Sequence, residues 1–453
     1  MPYEGEFAQY RSLRRLVESE RVRELLGSLR VQRPGGGPAS LNTIEAVDVP
    51  RSDRLPDWVL AVDGSHAGVR VENGYPQAEA SYVTVASVLI DVARVRELDR
   101  CRPVDPCEIR KTEHAESIDG ALPSCNVVLA GERSAKDSLR WALFRVFADH
   151  EMSLGGETLL DSYEALLAYK LEGHDQRCPY GDCPVGGVYK KGHGCYPCPC
   201  PAARPLYSTD ALRIHEGMNL EGTNGAMFAE IMQVWERVWI IHFLRTLERK
   251  GWLAILGRLA IVLDGPLAVF GHPAWLSQAI SAELDRLNAN VRQETCGQDL
   301  LWLGIEKTGM FVQHMEDLDR GDGEDGSNLR CGTAVLLDDA YIKEHIVFSN
   351  SDKPYGKDTY FGRKFLYKTR SVARIVASLP YFCERDRDVS RADPDQFPRL
   401  GDALALLDDL VSSRYPNALS PLVAAHAEAA IPLHLGNRVL EHLAHELMAK
   451  ERR

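Results

Sequence analysis

Two short apolar runs in this chain end in the same way. Residues 59–63 read Val-Leu-Ala-Val-Asp and residues 259–264 read Leu-Ala-Ile-Val-Leu-Asp, and each Asp is followed by Gly. Runs this short, bounded by turn residues, predict buried strands. Each strand then presents a carboxylate, Asp63 or Asp264, at its C-terminal end. Two adjacent carboxylates repel unless they are protonated or bridged by a cation. In a hydrolase the usual bridge is Mg²⁺ or Mn²⁺. Taken singly, an Asp-Gly pair is also a common hairpin turn. The repetition of the whole strand–Asp-Gly pattern is what favours a paired site.

The remaining periodicity predicts an α/β chain. Residues 7–30 form a charged helix with Leu13, Leu16, Val17, Leu25 and Leu26 at helical spacing, and a flexible joint follows at residues 34–38. The first strand, 58–63, stops at its Asp-Gly turn. It pairs with a second at 82–91 through a linker that holds Gly68 and Asn73-Gly74. Helices are predicted at 134–150 and 157–172. A long one at 225–250 is apolar on more than one face and so is central to the fold. Further helices fall at 275–287, 402–411, 419–430 and 436–450. Strands are read at 300–305, 333–337 and 345–348, and residues 372–379 are another apolar stretch. Residues 316–325 carry six acids against one Arg and read as a solvated loop.

Composition narrows the setting. The 453 residues allow two or three domains, or one large domain with insertions. A formal net charge of -12 argues against non-specific nucleic-acid binding over the whole surface but leaves room for a local basic groove. The N-terminus lacks a secretory pattern and no apolar run approaches membrane length, so a cytoplasmic protein without a membrane span is expected. Five of the eleven cysteines lie between Cys178 and Cys200. With no export signal, that clustering suggests metal before disulfides.

Five further groups of residues carry candidate chemistry. The central helix offers Glu236, favoured, or Glu230 as a third acid. They point about 240° apart around the helix, so one of them faces the Asp pair. Either can also be a solvated helical acid. Lys307, after the 300–305 strand, can reach a phosphate or is an ordinary surface lysine. His426, in a helix of small residues, can protonate a leaving oxygen, ligate metal, or simply pack in the core. The Cys-rich stretch 174–206 pairs Cys178 and Cys183 with Cys195 and Cys198, with Cys200 nearby, as a structural zinc site. The segment 363–374 holds Arg363, Lys364, Lys368 and Arg370 with Phe365 and Tyr367 interleaved. Such a pattern suits single-stranded DNA, or equally a solvated face.

Asp63 in Ala-Val-Asp-Gly-Ser, Asp264 in Val-Leu-Asp-Gly-Pro-Leu, Lys307 in Gly-Ile-Glu-Lys-Thr, then Tyr415-Pro416 and Ala425-His426 follow one another in the order seen in NurA nucleases. The chain resembles that family over residues 57–435. Pro266 stands where the family usually has Ser, and the Cys-rich stretch is not a general family feature. The resemblance implies an RNase H-like mixed sheet core flanked by helices, here with the Cys-rich insertion. A preceding helix and linker would occupy 1–56 and a final helix 436–453. It further implies Mn²⁺ or Mg²⁺ held by Asp63, a helix Glu, Asp264 and His426, with Lys307 and Tyr415 in support. The activity implied is 5′-to-3′ DNA exonuclease with single-strand endonuclease, in a homodimer docked on a hexameric HerA-type ATPase during double-strand break repair. A phage-defence nuclease and a catalytically silent adaptor of the translocase are the alternatives.

Overall fold

The computed structural model describes residues 11–29, 41–52, 55–71, 78–97, 113–150, 155–170, 176–184, 188–189, 192–320, 328–412, 415, 417–431 and 439–440. Contacts divide the chain after Ser40. In the N-terminal unit the expected helix is broken at Ser19 into α1 (Arg11–Glu18) and α2 (Glu20–Ser28). The apolar positions Leu13, Leu16, Val17, Leu25 and Leu26 are all exposed. The joint at 34–38 and the 73–74 turn lie outside the described residues, as does nearly all of the expected 436–450 helix.

The second unit is built on one nine-stranded mixed sheet. Its strands are β1 (Thr43–Glu45), β2 (Trp58–Arg70), β3 (Glu79–Asp91), β4 (Glu113–Pro123), β9 (Leu259–Asp264), β10 (Leu301–Glu306), β11 (Thr333–Leu336), β12 (Gly362–Lys368) and β13 (Arg374–Pro380). Four short strands, β5 to β8, lie outside it between Gln176 and Tyr207. The spatial order is β1-β11-β12-β13-β10-β9-β2-β3-β4. Only the central trio β2, β9 and β10 is parallel; every other neighbouring pair is antiparallel. β9 and β10 are buried on both faces up to their last residue, which is why they read as unbroken apolar runs.

Helices cover both faces. α3 (Ala135–Asp149), α4 (Leu159–Ala168), α5 (Gly225–Arg249) and α6 (Leu276–Glu294) pack on one, against Leu60, Val62, Ile261, Leu263 and Trp302. α8 (Leu400–Leu410) and α9 (Ser420–Ala429) pack on the other, against Val59, Ala61, Ala260, Val262 and Leu303. The alternation of side chains along each strand thus feeds two cores. α3 is capped by Ser134, which accepts from the Asp137 N–H, and α4 by a Thr158/Asp161 capping box. The broad apolar surface of α5 follows from its place inside the first layer. Trp235 and Trp239 are wholly buried there.

Several expectations are corrected. β2 does not stop at Asp63; it runs through Gly64-Ser65 to Arg70 because β3 pairs with it along its whole length. Residues 43–45, placed in a linker, form an edge strand on β11. β4 was not foreseen. Its sequence, Glu-His-Ala-Glu-Ser-Ile-Asp-Gly-Ala-Leu-Pro, is too polar to announce a strand. Residues 342–346 form a π-helical turn, where a strand was expected to begin at 345. Residues 316–320 close α7 (Met310–Arg320), and Asp319 is fully buried.

Asp319 is where the largest correction begins. The basic segment at 363–374 is mostly strand β12, and its cations face inward. Lys368 is buried on Asp319 at 2.8 Å, and Arg374 binds the same carboxylate at 2.9 Å. Lys364 pairs with Glu306 at 2.6 Å and lies over the rings of Phe311 and Tyr360. Arg363 donates to the carbonyls of Asp386, Asp388, Leu337 and Arg391 and stacks on Phe397. These side chains are committed to internal partners, so Arg363, Lys364 and Lys368 do not form a phosphate-tracking groove. Removing one member of a buried ion pair strands the other charge. Asp319→Ala should therefore lower stability in urea denaturation by about 3–5 kcal/mol.

Candidate active site

The pairing of β2 with β9 aligns Val62 with Leu263, which brings the next residues, Asp63 and Asp264, level on adjacent strands. Neighbouring strands are about 4.8 Å apart. Both residues share the parity of the face that α9 covers, with Val59 and Ala61 on β2 and Ala260 and Val262 on β9. From α9, His426 Nδ1 meets Asp63 Oδ2 at 2.8 Å. From just beyond β10, Lys307 Nζ meets Asp264 Oδ2 at 2.7 Å. Asp63 is buried, while the His426 side chain is 60 % exposed. The cluster therefore opens to solvent on the histidine side.

Glu236 arrives from the opposite face of the sheet. Its helix packs on β2, and the gap that admits it is Gly64. A Cβ at Gly64 would lie 2.7 Å from Glu236 Oε1 and 2.6 Å from Met232 Cγ. No side chain other than hydrogen leaves room for that carboxylate. Glu236 and its neighbour Arg237 are both buried and form an ion pair. Arg237 also donates to the Gln233 carbonyl within α5 and to those of Ala268 and Pro266, which tie it to the chain just beyond Asp264. Periodicity alone gives Arg237 no role. An adjacent Glu-Arg pair inside so apolar a helix was the available signal.

Electrostatics show a surplus of negative charge. Burial, then the Asp264 charge, pushes the Asp63 carboxyl up to about 6, against the pull of His426 and Lys307. Burial pushes Glu236 up to about 8; Arg237 opposes this, and Asp63 and Asp264 add to it. These hard oxygen donors, short of positive charge, fit a divalent cation. Among the described residues, no three ligand atoms of this cluster lie within 4.8 Å of one another. Gathering them on one ion would require side-chain rotation away from Lys307 and Arg237.

The other candidates fall elsewhere. Glu230 lies on another face of α5, 3.2 Å from His272 Nδ1, away from the acidic cluster. Arg370 is exposed just past β12, and by strand pairing this end of β12 is on the same edge of the sheet as Asp264. Tyr415 is exposed in the loop before α9. Cys178, Cys183 and Cys198 come together, whereas Cys195 stands exposed on β7 (Cys195–Pro197).

Fold and site define an α/β protein with an acidic cluster at the C-terminal edge of a parallel strand trio. The family model for the NurA domain matches residues 201–431, which is 231 of the 453 residues. The chain belongs to the NurA family. Glu236, Asp264, Lys307, Tyr415 and His426 fall inside the match, and the fold brings Asp63 to them from outside it. Among solved structures, the NurA nuclease from Sulfolobus solfataricus is similar over 89% of this chain and 86% of that one, at 12% identity and a TM-score of 0.32. No curated protein matches the sequence.

Both raised carboxyls hold protons in the folded chain that the unfolded chain has already released. Their destabilising effect is absent below about pH 4 and complete above about pH 8. Thermal melts in chelator should therefore fall as pH rises across that interval, and Glu236→Gln should flatten the fall. Gly64→Ala should cost about 1–3 kcal/mol through the forced displacement of Met232 and Glu236, read by urea denaturation.

Proposed function

We propose that this protein is a metal-dependent DNA nuclease. The observation that carries the reading is the level placement of Asp63 and Asp264 with Glu236 reaching them through the Gly64 gap. Family membership supports it. The run of three antiparallel strands, β4-β3-β2, continued by two parallel ones, β9 and β10, supports an RNase H-like core.

Asp63, Asp264 and Glu236 would hold Mn²⁺ or Mg²⁺, with His426 at the rim. When bound, such a cation activates water and stabilises a leaving 3′-oxygen. The chain's own groups do the rest. His426, donating from Nδ1 to Asp63, leaves Nε2 free to take and return a proton on the open side. Lys307 fixes Asp264 and is half-exposed, within reach of a phosphate. Arg237 holds Glu236 and the chain after Asp264 rigid. Arg370, which pairs with Asp408 at 3.4 Å, and Tyr415 are exposed and would contact the strand, the tyrosine by stacking on bases.

The full reading is a homodimer of one domain over 57–435 that degrades DNA from 5′ to 3′ and cuts single strands. A hexameric HerA-type ATPase would feed it at broken ends. A chain of net charge -12 binds free DNA weakly, so delivery by a partner makes physical sense.

Cleavage of 5′-labelled linear DNA in Mn²⁺, Mg²⁺ or EDTA tests this. The wild type should cut only with metal, and Asp264→Asn should lose more than ~100-fold in rate. Gly64→Ala should lose activity beyond what its stability loss explains. If the wild type does not cut, even with a HerA-type ATPase added, the chain is a silent adaptor and the nuclease reading falls.

A further inference from the structure

We infer that Cys178, Cys183, Cys198 and Cys200 form a tetrathiolate zinc site that fastens the Cys-rich loop to the core, with Cys200 in the place that spacing alone gives to Cys195. Strand alternation explains the exchange. On β7, Cys195 and Pro197 share the exposed face, and Tyr196 points the other way. Beyond the strand, Cys198 and Cys200 again sit two residues apart, and both are buried.

The sulfur geometry supports a single ion. Cys198 Sγ lies 3.7 Å from Cys178 Sγ and 3.8 Å from Cys183 Sγ. Four sulfurs on zinc, at about 2.3 Å each, stand about 3.8 Å apart at tetrahedral angles. Disulfides need about 2.05 Å, and thiols that share Cys198 cannot all pair. All three lie within 4.8 Å of one another. Cys200 is outside that mutual radius but packs in the same cluster, close enough for Cys198 and Cys183 to act on its thiol.

Backbone donors point the same way. Burial raises the thiols of Cys178 and Cys198, and the backbone N–H groups of Tyr180 and Cys200 oppose it; at Cys200 the neighbouring Cys198, then the Ala202 N–H, lowers the thiol against a smaller burial effect. An N–H two residues on, aimed at sulfur, favours the thiolate that a metal needs. Zinc binding would release the four thiol protons.

The loop contributes few apolar side chains of its own. Its own core is those cysteines with Leu206, Tyr180 and Tyr196. From it, the Tyr180 ring receives the Arg140 guanidinium of α3 at 4.7 Å, and Tyr180 Oη donates to Pro205 O. Arg140 in turn binds Asp210 at 2.7 Å. The ion would thus fix the loop to the layer of helices that contains α5. All four cysteines precede the residues that match the family model, so the site is independent of the nuclease reading.

Metal analysis of the purified full chain tests the proposal. One zinc per chain is expected, kept in Cys195→Ser and bound at least ~10-fold more weakly in Cys200→Ser. Cobalt(II) exchanged into the wild type should show tetrahedral absorption with strong thiolate charge transfer. Thiol titration of the wild type guards against a misfolded variant: chelation should expose four more reactive thiols, and Cys195 should react before and after. No bound metal, iron in place of zinc, or equal loss in Cys195→Ser and Cys200→Ser would overturn it.

Discussion

The register of β2 against β9 is the constraint on which the site depends. A slip by one residue would turn Asp63 to the opposite core and separate it from Asp264. That register is secured by apolar alternation on both strands, since each has a core on either face. It is secured again by β3, which pairs along all of β2. The acidic cluster is therefore held by the most deeply packed part of the sheet, although carboxylates are the groups that packing tolerates least.

That conflict is eased from two sides of the sheet. Lys307 and His426 meet the aspartates on one face, while Arg237 meets Glu236 on the other. The counter-charges are incomplete: burial still holds the Asp63 and Glu236 carboxyls above their ordinary range. A structure optimised for stability alone would have filled such positions with apolar side chains. On the proposed reading, that retained deficit is what would turn a sheet edge into a place for a cation and an anionic substrate together.

Some of this was legible in the sequence. The apolar runs leading to Asp63 and Asp264 carried it, because buried parallel strands read as unbroken apolar runs. Glu236 was legible as one of two candidates, because an acid between such apolar flanks needs a reason. The extension of β2 was not, since Gly64-Ser65 looks locally like a turn and only β3 makes it a strand. The basic stretch at 363–374 misled because periodicity reports charge but not the buried Asp319 and Glu306 that await it. Cys195 misled for a related reason. A Cys-x-x-Cys spacing suits a half-site, but strand geometry turned one of its members outward and brought Cys200 in instead.

The hydrogen bond between His426 and Asp63 joins residues 363 positions apart. On the ribosome, β2 is complete long before α9 has been made. For most of its synthesis the chain holds an aspartate without its histidine and, until β9 emerges, without its partner carboxylate. On the proposed reading, cleavage of DNA would thus wait until both β9 and α9 have been made and folded onto β2.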